Sequence, residues 1–505
     1  SNPGEFDQRG DPFLRVVQGK QGGGVRIDMG AYERQGIAGT NFVVDTAVDE
    51  SDGDYSVGDL SLREALGLAN GDVGANTISF DPALSGATIA LVLGQLDVTE
   101  AVTISGLGAD VLTVDAQQGS RVLNIDDGDD TAHQAVSISG LTITGGEVGG
   151  SGAGIRSLER LELVDSLVTG NSATGPDATG GGIYLRMFGG MTSVISGSTI
   201  ANNSSARNGG GLSVQTIAGD TLGVNNSTIS GNEADLDGGG LWTSGTGSTN
   251  IVHSTIAFNT ADANMDGTGV AGGIFDVSGG VTLYHTIVGS NSDPTGPNKD
   301  LQGTFTANFS LIGDTNGATL NGADNVENHA PLLAPLADYG GATPTHALYP
   351  KSPALDAGDK SVVSPPDFDQ RGLGYERIYG KAIDIGAYEL LIADGNLDGQ
   401  VDGLDYLLWA QFYGDDVAQD PPGSPQNGDY NNDGKVDGLD YLVWAGQYGE
   451  GVAILPASQT ASNTDEITAV DAAYESAYSD GASVRDWRIS EAFNAVLKNK
   501  ERKGT

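Results

Sequence analysis

Short runs in which apolar and polar residues alternate recur along this chain, and Gly and Asn residues separate them. The runs are rich in Val, Ile and Thr and lack the spacing of an amphipathic helix, so the pattern predicts β-strands. From residue 140 to residue 292 the pattern repeats with a period of about 29 residues. Each repeat contains a Gly-rich tetrad that ends in an aliphatic residue, and these tetrads begin at Gly152, Gly180, Gly209, Gly238 and Ala271.

The second element of each repeat is a strand that ends near an Asn. Ile200, Ile229 and Ile256 are predicted to point inward and the Thr before each of them outward, because successive side chains of a strand face opposite sides. Stacking the repeats about 4.8 Å apart joins the strands around one core. The predicted fold class is all-β, a right-handed parallel β-helix (solenoid), with the hand taken from the usual crossover preference. A ladder of stacked side-chain amides is expected at the turn from Asn171, Asn203, Asn232, Asn259 and Asn291.

The β-helix is predicted to begin before the regular repeat. Short strands separated by turn residues run from Thr77 to Ile125. The open end of a solenoid exposes unpaired backbone and needs a cover. A helix that starts after Ser61 is expected to be that cover, because Ser61 and Glu64 can form a capping box and the apolar residues up to Ala69 share one helical face.

Two stretches near the C-terminus have the ligand spacing of a calcium loop, with oxygen side chains at loop positions 1, 3, 5, 9 and 12 and Gly at position 6. Position 7 contributes its backbone carbonyl, so Gln400 and Lys435 are acceptable there. Each loop runs into a near-identical helical segment, which predicts a small all-α domain with EF-hand-type loops and two bound Ca2+ ions. The predicted metal ligands are Asp394, Asn396, Asp398, Gln400, Asp402 and Asp405 in the first loop, and Asp429, Asn431, Asp433, Lys435, Asp437 and Asp440 in the second.

This duplicated segment, about residues 392–450, resembles a type I dockerin, a calcium-folded module that docks onto cohesin domains. The resemblance includes Asp at loop position 12 and a single helix after each loop. It implies calcium-dependent folding and a cohesin-like protein domain as partner. Positions 10 and 11 depart from the Ser/Thr pair common in the family, since they are Gly403-Leu404 and Gly438-Leu439. A calcium-stabilised spacer without a docking partner therefore stays open as the alternative.

A second resemblance covers about residues 41–390. It is carried by the Ser-Leu-Arg-Glu-Ala element at Ser61, the Gly-rich repeats, and a closing signature of Asp369-Gln370-Arg371-Gly372 and Asp384-Ile385-Gly386-Ala387-Tyr388-Glu389. These features resemble bacterial, planctomycete-like surface β-helix proteins with a choice-of-anchor-type C-terminal module, and they imply a surface location. The closing signature recurs at residues 6–10 and 27–33, so we expect the start of the chain to be the tail of a preceding module in a longer tandem protein.

These patterns divide the chain into six segments. The predicted domains are the tail of a preceding β-helix module (1–40), the parallel β-helix with its N-terminal capping helix (41–330), a C-terminal cap or anchor-type module (331–390), the dockerin-like calcium-binding domain (391–450), a linker (451–465) and a helical C-terminal segment (466–505).

Composition narrows the possible partners. The chain has 67 acidic and 24 basic residues among 505, a formal net charge of −43, which argues against nucleic acid and anionic membranes as partners. It has no Cys, which excludes disulfides and thiolate metal sites. No apolar run approaches the length of a membrane span. An extracellular or cell-surface location is expected, and the role favoured is adhesion, matrix formation or assembly.

Catalysis is the rival interpretation, because parallel β-helices include polysaccharide lyases and glycoside hydrolases. Asp235, Asp237, Asp262, Asp266 and Asp276 are available acids, but neither paired catalytic carboxylates nor a pectinase signature is recognisable. Hence no catalytic residue is assigned.

A polysaccharide-binding surface is a candidate on the β-helix itself, and the alternative is that its exposed aromatic residues are ordinary scattered surface residues. The residue after each tetrad should point outward, and flat rings in that column could stack on sugars; the candidate ligand residues are Arg156, Tyr184, Arg186 and Trp242.

Overall fold

The computed structural model describes residues 41–451, apart from residues 73, 75, 132, 298, 363–364, 418–426 and 432. The predicted module tail at 1–40, the linker from residue 452 and the helical segment 466–505 lie outside the described residues. No helix within the described part is long and apolar enough to cross a membrane.

The described residues form short parallel strands and a few helices. The helices are α1 (Leu62–Ala69), α2 (Gly403–Phe412), α3 (Gly438–Gln447) and one 3-10 turn (Pro82–Leu84). The first sixteen strands are β1 (Asn41–Val44), β2 (Asn76–Phe80), β3 (Ala87–Ala90), β4 (Leu96–Val98), β5 (Val102–Ser105), β6 (Leu112–Asp115), β7 (Leu123–Ile125), β8 (Ala135–Ser139), β9 (Thr142–Thr144), β10 (Glu147–Val148), β11 (Ile155–Ser157), β12 (Arg160–Val164), β13 (Leu167–Thr169), β14 (Ser172–Ala173), β15 (Ile183–Arg186) and β16 (Thr192–Ser196). The others are β17 (Thr199–Ala201), β18 (Ser204–Ser205), β19 (Leu212–Thr216), β20 (Thr221–Asn225), β21 (Thr228–Ser230), β22 (Glu233–Ala234), β23 (Leu241–Gly245), β24 (Ser248–Val252), β25 (Thr255–Ala257), β26 (Ile274–Asp276), β27 (Val281–Tyr284), β28 (Ile287–Gly289), β29 (Leu301–Asn308), β30 (Leu311–Ile312), β31 (Ala318–Asn321) and β32 (Val326–Glu327).

The strands stack into parallel ladders, one strand per coil. The longest ladder runs β1–β2–β5–β8–β12–β16–β20–β24–β27–β29–β31, and a second runs β4–β7–β11–β15–β19–β23–β26–β29, so that β29 joins the two. The third ladder is β3–β6–β9–β13–β17–β21–β25–β28–β30–β32, and a short fourth is β10–β14–β18–β22. The fold is therefore a parallel β-solenoid, as the repeat predicts.

The core lies between these ladders. Ile200, Ile229 and Ile256 are cross-strand partners in successive coils, and each is at most 1% exposed. The inward prediction is therefore confirmed. Helix α1 is also confirmed: Ser61 is its N-cap, Glu64 completes the capping box, and Leu62, Ala65, Leu66 and Ala69 are buried.

The predicted asparagine ladder is present at the turn after the third ladder. The side-chain amide of each Asn donates to Oδ1 of the Asn in the next coil at 2.9 Å, from Asn171 through Asn203, Asn232 and Asn259 to Asn291. The ladder ends on an acid, because Asn291 donates to Oδ1 of Asp300 at 2.9 Å. Asp300 follows Asn291 by far fewer residues than the repeat of about 29. The period therefore did not predict that Asp300 accepts the last hydrogen bond of the ladder.

The outer side of the third ladder is covered rather than open to solvent. Thr199, Thr228 and Thr255 point away from the core as predicted, yet each is at most 1% exposed. Short segments from later in the chain lie on them: the hydroxyl of Thr228 is 3.0 Å from that of Thr345, and the amide of Ala387 donates to Oγ1 of Thr255 at 3.0 Å.

The chain divides into two compact units. Among the described residues the first contains 41–331, 342–345 and 385–387, which is the solenoid with its covering segments. The second contains 332–341, 346–384 and 388–451, so residues 346–384 share a compact unit with α2 and α3.

The second unit contains a buried network built from the closing signature. Arg371 forms an ion pair with Asp369 at 2.7 Å and donates to the carbonyl of Glu389 at 2.8 Å. Its guanidinium lies 4.1 Å from the ring centre of Tyr375 and 3.8 Å from that of Tyr388. Such a bidentate and stacked arrangement needs the planar guanidinium of Arg.

Candidate metal centre

The two predicted loops close with the same hydrogen bonds. In the first, the amide of Asp398 donates to Oδ1 of Asp394 at 3.1 Å and the amide of Gly399 donates to Oδ2 of Asp394 at 2.7 Å. In the second, the amides of Asp433 and Gly434 donate to the two oxygens of Asp429 at 3.0 and 2.8 Å. Each loop is thus wrapped around the carboxylate at its first position.

The carboxylate at position 12 ties the end of each loop back to its start. Asp405 accepts the amides of Gly395 and Asp402 at 2.8 and 2.7 Å. Asp440 accepts the amides of Asn431 and Asp437 at 2.9 and 2.8 Å. Both acids are fully buried.

The acids at position 9 begin the helices. Asp402 is the N-cap of α2 and Asp437 that of α3, and each forms a capping box with the position-12 Asp. A single residue therefore serves as loop member and helix cap, which fixes the direction of each helix relative to its loop.

The two repeats are interlocked through their tryptophans. The indole of Trp409 in α2 donates to the backbone carbonyl of Asp437, and that of Trp444 in α3 donates to the carbonyl of Asp402, both at 2.9 Å. The rings also pack across the repeats, with Tyr406 5.2 Å from Trp444 and Trp409 5.4 Å from Tyr441 between ring centres. Each helix thereby supports the loop of the other repeat.

The backbone strengthens this crossing. The amide of Val401, at position 8 of the first loop, donates to the backbone carbonyl of Glu450, which follows α3, at 3.0 Å. The amide of Val436, at position 8 of the second loop, donates to the backbone carbonyl of Asp415, which follows α2, at 3.0 Å. Both valines are buried in the core of this domain.

The electrostatics favour a cation in the first loop. Burial and the neighbouring Asp405 carboxylate raise the pKa of Asp394 to about 7. Burial also raises the pKa of Asp405 to about 7, and Asp402 and Asp398 add to that shift. In the second loop, burial raises the pKa of Asp440 in the same direction. A positive ion beside these groups would offset the cost of their charge.

The donor set suits a hard cation, because every predicted ligand is a carboxylate, amide or carbonyl oxygen. Within the described residues, no three Asp, Glu, His or Cys side chains meet in a group that could hold a metal ion. The carboxylates of Asp394 and Asp405 accept backbone amides of their own loop. The position-6 glycines adopt φ values of 86° at Gly399 and 92° at Gly434, as the sharp turn requires.

The first loop also packs against the rest of its unit. A Cβ on Gly399 would lie 2.1 Å from Cε1 of Tyr375, so only Gly leaves room for that ring. The positive charge of Arg371 lowers the pKa of Asp394, against the raising effect of burial.

Apolar side chains are exposed at the departures from the family pattern. At loop position 11, Leu404 is 48% and Leu439 55% exposed, and Leu442 in α3 is 64% exposed. The two position-11 leucines occupy equivalent places at the start of α2 and α3.

The outward column on the β-helix is in register. Arg156, Tyr184, Ser213, Trp242 and Phe275 are consecutive cross-strand partners in the second ladder. All are partly exposed except Ser213, which is fully buried and lies between the larger Tyr184 and Trp242.

The two arginines near this column differ. Arg156 is held by an ion pair with Asp126 at 2.9 Å. Arg186 is exposed, and its guanidinium lies 5.0 Å from the ring centre of Phe188.

Four of the five acids considered for catalysis, Asp237, Asp262, Asp266 and Asp276, accept backbone amides. Asp262 and Asp276 are buried and accept amides from the turns that follow them, and Asp237 accepts the amide of Val270 at 3.1 Å. Burial raises the pKa of Asp235, Asp237 and Asp276.

Two features of these sites were not predicted. The crossed Trp bonds leave no local signal beyond the repeated Tyr-x-x-Trp spacing in the two helices. Asp262, named above only as an available acid, begins a loop whose sequence matches the two predicted loops at positions 1, 3, 5 and 6.

Comparison with known families agrees with the duplicated loops. Residues 392–445 match the family model described as Dockerin type I domain. No curated protein and no solved structure gives a significant match to the chain. Dockerin type I domains generally bind calcium, and dockerin domains bind cohesins. The chain therefore combines a parallel β-solenoid with a dockerin type I domain at residues 392–445.

Proposed function

We propose that residues 394–405 and 429–440 each hold one Ca2+ ion and that the dockerin domain depends on these ions for its fold. The main support for this proposal is that both loops close by the same hydrogen bonds around the carboxylate at their first position. A bound Ca2+ supplies positive charge among these oxygens. The chain contributes side-chain oxygens at positions 1, 3, 5, 9 and 12 and a backbone carbonyl at Gln400 and at Lys435.

The domain serves to attach the β-helix to a cohesin-like protein domain. The supporting observation is the pair of equivalent exposed leucines, Leu404 and Leu439, at the loop position next to each helix cap. Burying such apolar side chains in a protein interface is favourable, by about 25 cal/mol for each Å² removed from water. We therefore expect this chain to contact its partner through apolar side chains, Leu404 and Leu439, rather than through hydroxyl groups.

The whole protein acts as a secreted or cell-surface β-helix protein in adhesion, matrix formation or assembly. The dockerin domain supports such a location, because dockerin proteins are typically extracellular or on the cell surface. The likeness of residues 41–390 to planctomycete-like surface β-helix proteins with a choice-of-anchor-type module points the same way.

The β-helix also offers a surface for polysaccharide. The candidate residues are Arg156, Tyr184, Arg186 and Trp242, and the support for them is the in-register column of partly exposed rings on the second ladder. A flat ring can pack on the apolar face of a pyranose, while a guanidinium can hydrogen-bond to its hydroxyls or to a uronate.

Docking is tested by binding of the full chain to a panel of purified cohesin domains on a sensor surface, with and without chelator. We expect calcium-dependent binding to at least one cohesin. The double variant Leu404→Ser/Leu439→Ser should weaken that binding at least tenfold while calcium content stays the same. The matched control is Leu373→Ser, which changes an exposed leucine of the same unit outside the dockerin domain.

Binding to no cohesin, with both loops loaded, would favour the spacer alternative. Binding that survives in excess chelator would contradict the calcium dependence.

A further inference from the structure

The motif Asp-x-Asn-x-Asp-Gly occurs three times in this chain. Two copies, at 394–399 and 429–434, are the first halves of the dockerin loops. The third copy, Asp262-Ala263-Asn264-Met265-Asp266-Gly267, lies in the β-helix between β25 and β26. It belongs to the other compact unit of the chain, so it is independent of the dockerin domain.

The third copy closes in the same way as the dockerin loops. The amides of Asp266 and Gly267 donate to the carboxylate of Asp262 at 3.0 and 3.1 Å. The amide of Asp266 also lies 3.1 Å from Oδ1 of Asn264, and the amide of Thr268 donates to Oδ1 of Asp266 at 3.0 Å. The residue at position 4 has a left-handed backbone in both units, with φ 58° at Met265 and 61° at Leu397.

This copy lacks the second half of a dockerin loop. Positions 9 and 12 are Val270 and Gly273, which offer no carboxylate. The adjacent coils provide acids instead. Asp235 comes from the preceding coil and follows Ala234, whose carbonyl accepts the amide of Ala263 at 3.0 Å.

The next coil provides Asp293, which gives an independent sign of a missing ligand. Asp293 is only 3% exposed, and its Oδ2 is buried without a hydrogen-bond partner in the described part of the chain. Buried carboxylate oxygens are almost always paired with a donor or a cation. Thr295 links this acid to the third copy, because its amide donates to Oδ1 of Asp293 at 3.1 Å and its hydroxyl donates to Oδ2 of Asp262.

We propose that Asp262, Asn264, Asp266 and the backbone carbonyl of Thr268, together with Asp293 of the next coil, bind a divalent cation of the hard, oxygen-preferring class to which Ca2+ belongs. As in the dockerin loops, the carboxylates here accept amides and do not meet in one ready-formed group. Several oxygens from an irregular loop suit Ca2+, which tolerates irregular coordination, better than Mg2+, which demands a regular octahedron. The ion joins the 262–268 loop to the following coil and so strengthens the stacking of the β-helix at this level.

The test counts calcium ions in the full-length chain whose dockerin loops are disabled by Asp398→Ala and Asp433→Ala. This parent is stripped with chelator, dialysed against Ca2+ and analysed by calorimetry and elemental analysis. Adding Asp266→Ala, or Asn264→Ala, should remove one further ion, and the calcium-induced rise in the melting temperature of the β-helix should disappear with it. Both residues are exposed, so circular dichroism should show an unchanged β-fold.

The matched control is Asp314→Ala. Asp314 closes a similar turn by accepting the amide of Asn316 at 3.0 Å. The sequence after it is Thr315-Asn316-Gly317, so this turn lacks the second Asp of the motif. This variant should keep the ion of its parent. If Asp266→Ala and Asn264→Ala bind as many ions as the parent, the proposal is wrong. Because the parent has no intact dockerin loop, this result is independent of whether those loops bind calcium.

Discussion

The indole nitrogen of Trp444 donates to the backbone carbonyl of Asp402 at 2.9 Å, although the two residues belong to different repeats of the dockerin domain. The reciprocal bond joins Trp409 to Asp437 at the same distance. The position-9 residue of each loop is thus held in place by the helix of the other repeat. A change in one helix should therefore affect the loop it does not follow.

The crossed support can be measured with Trp444→Phe. This variant keeps an aromatic ring but loses the bond to Asp402, so calcium affinity should fall at the first loop, roughly threefold to tenfold for one hydrogen bond of about 1 kcal/mol. Affinity at the second loop should change less. Calorimetry in an Asp433→Ala background isolates the first loop, and Trp409→Phe in an Asp398→Ala background is the mirror experiment. Equal effects of either Trp variant on both loops would contradict the crossed arrangement.

The asparagine ladder should be important for the stability of the β-helix. Asn232→Ala removes the bond to Asn259 and leaves the amide and side-chain donors of Asn203 without their acceptor in a buried site. We expect a loss of about 2–4 kcal/mol in the free energy of unfolding, because each buried polar group left unsatisfied costs about 1–3 kcal/mol. Chemical denaturation measures it, with the exposed Asn316→Ala as control. A loss no greater than that of the control would show that the ladder adds nothing.

Asp300, at the end of the ladder, should give the β-helix a specific pH dependence. Burial raises the pKa of Asp300 to about 6. A raised carboxyl pKa means that the folded state binds the proton more tightly, so the stabilisation is full below pH 4 and is lost as the pH rises to about 6. The contribution is on the order of 2–3 kcal/mol.

In the variant Asp300→Asn, the free energy of unfolding should no longer show this part of the dependence on pH. The unfolding free energies of wild type and variant are compared between pH 4 and pH 7. The difference between them should change by about 2–3 kcal/mol over this range. The exposed Asp130→Asn serves as control and should run parallel to wild type. A difference that is constant with pH would show that Asp300 titrates normally.

Carbohydrate binding by the outward column is tested with Tyr184→Ala/Trp242→Ala. Retention on acidic and neutral glycan arrays should drop, because the stacking rings are lost. The exposed Val277→Ala should bind like wild type.

We also expect no release of reducing sugar or unsaturated uronate at any pH, so that substitution of Asp235, Asp237 or Asp262 changes no turnover. Cleavage abolished by one of these substitutions would support the rival interpretation as a lyase or hydrolase.

The sequence pattern was informative wherever the cause of a structure is local or periodic. Strand alternation placed Ile229 in the core, and the repeat placed Asn232 on the ladder, because both signals recur at each coil. The burial of Thr228 was not predictable, since its cover comes from Thr345, far along the chain and outside the repeat. Asp300 was missed for a related reason: it supplies the next rung from an irregular loop.

The dockerin segment at residues 392–445 could be predicted from the sequence, because the proposed ligands of each loop lie within twelve consecutive positions. The β-helix copy at Asp262 was missed because its positions 9 and 12 are Val270 and Gly273, and the further acid of the proposed site comes from the next coil. Asp293 becomes a neighbour only once the coils are stacked, as the bonds of Thr295 to both acids show.

The most direct test of the central claim is a count of bound Ca2+ in the full chain and in its loop variants. Elemental analysis after dialysis against calcium should find one ion fewer in Asp398→Ala, one fewer in Asp433→Ala and two fewer in the double variant. The exposed Asp415→Ala, in the same domain but outside the loops, should keep the wild-type number. If the double variant binds as much calcium as the wild type, the two loops are not calcium sites.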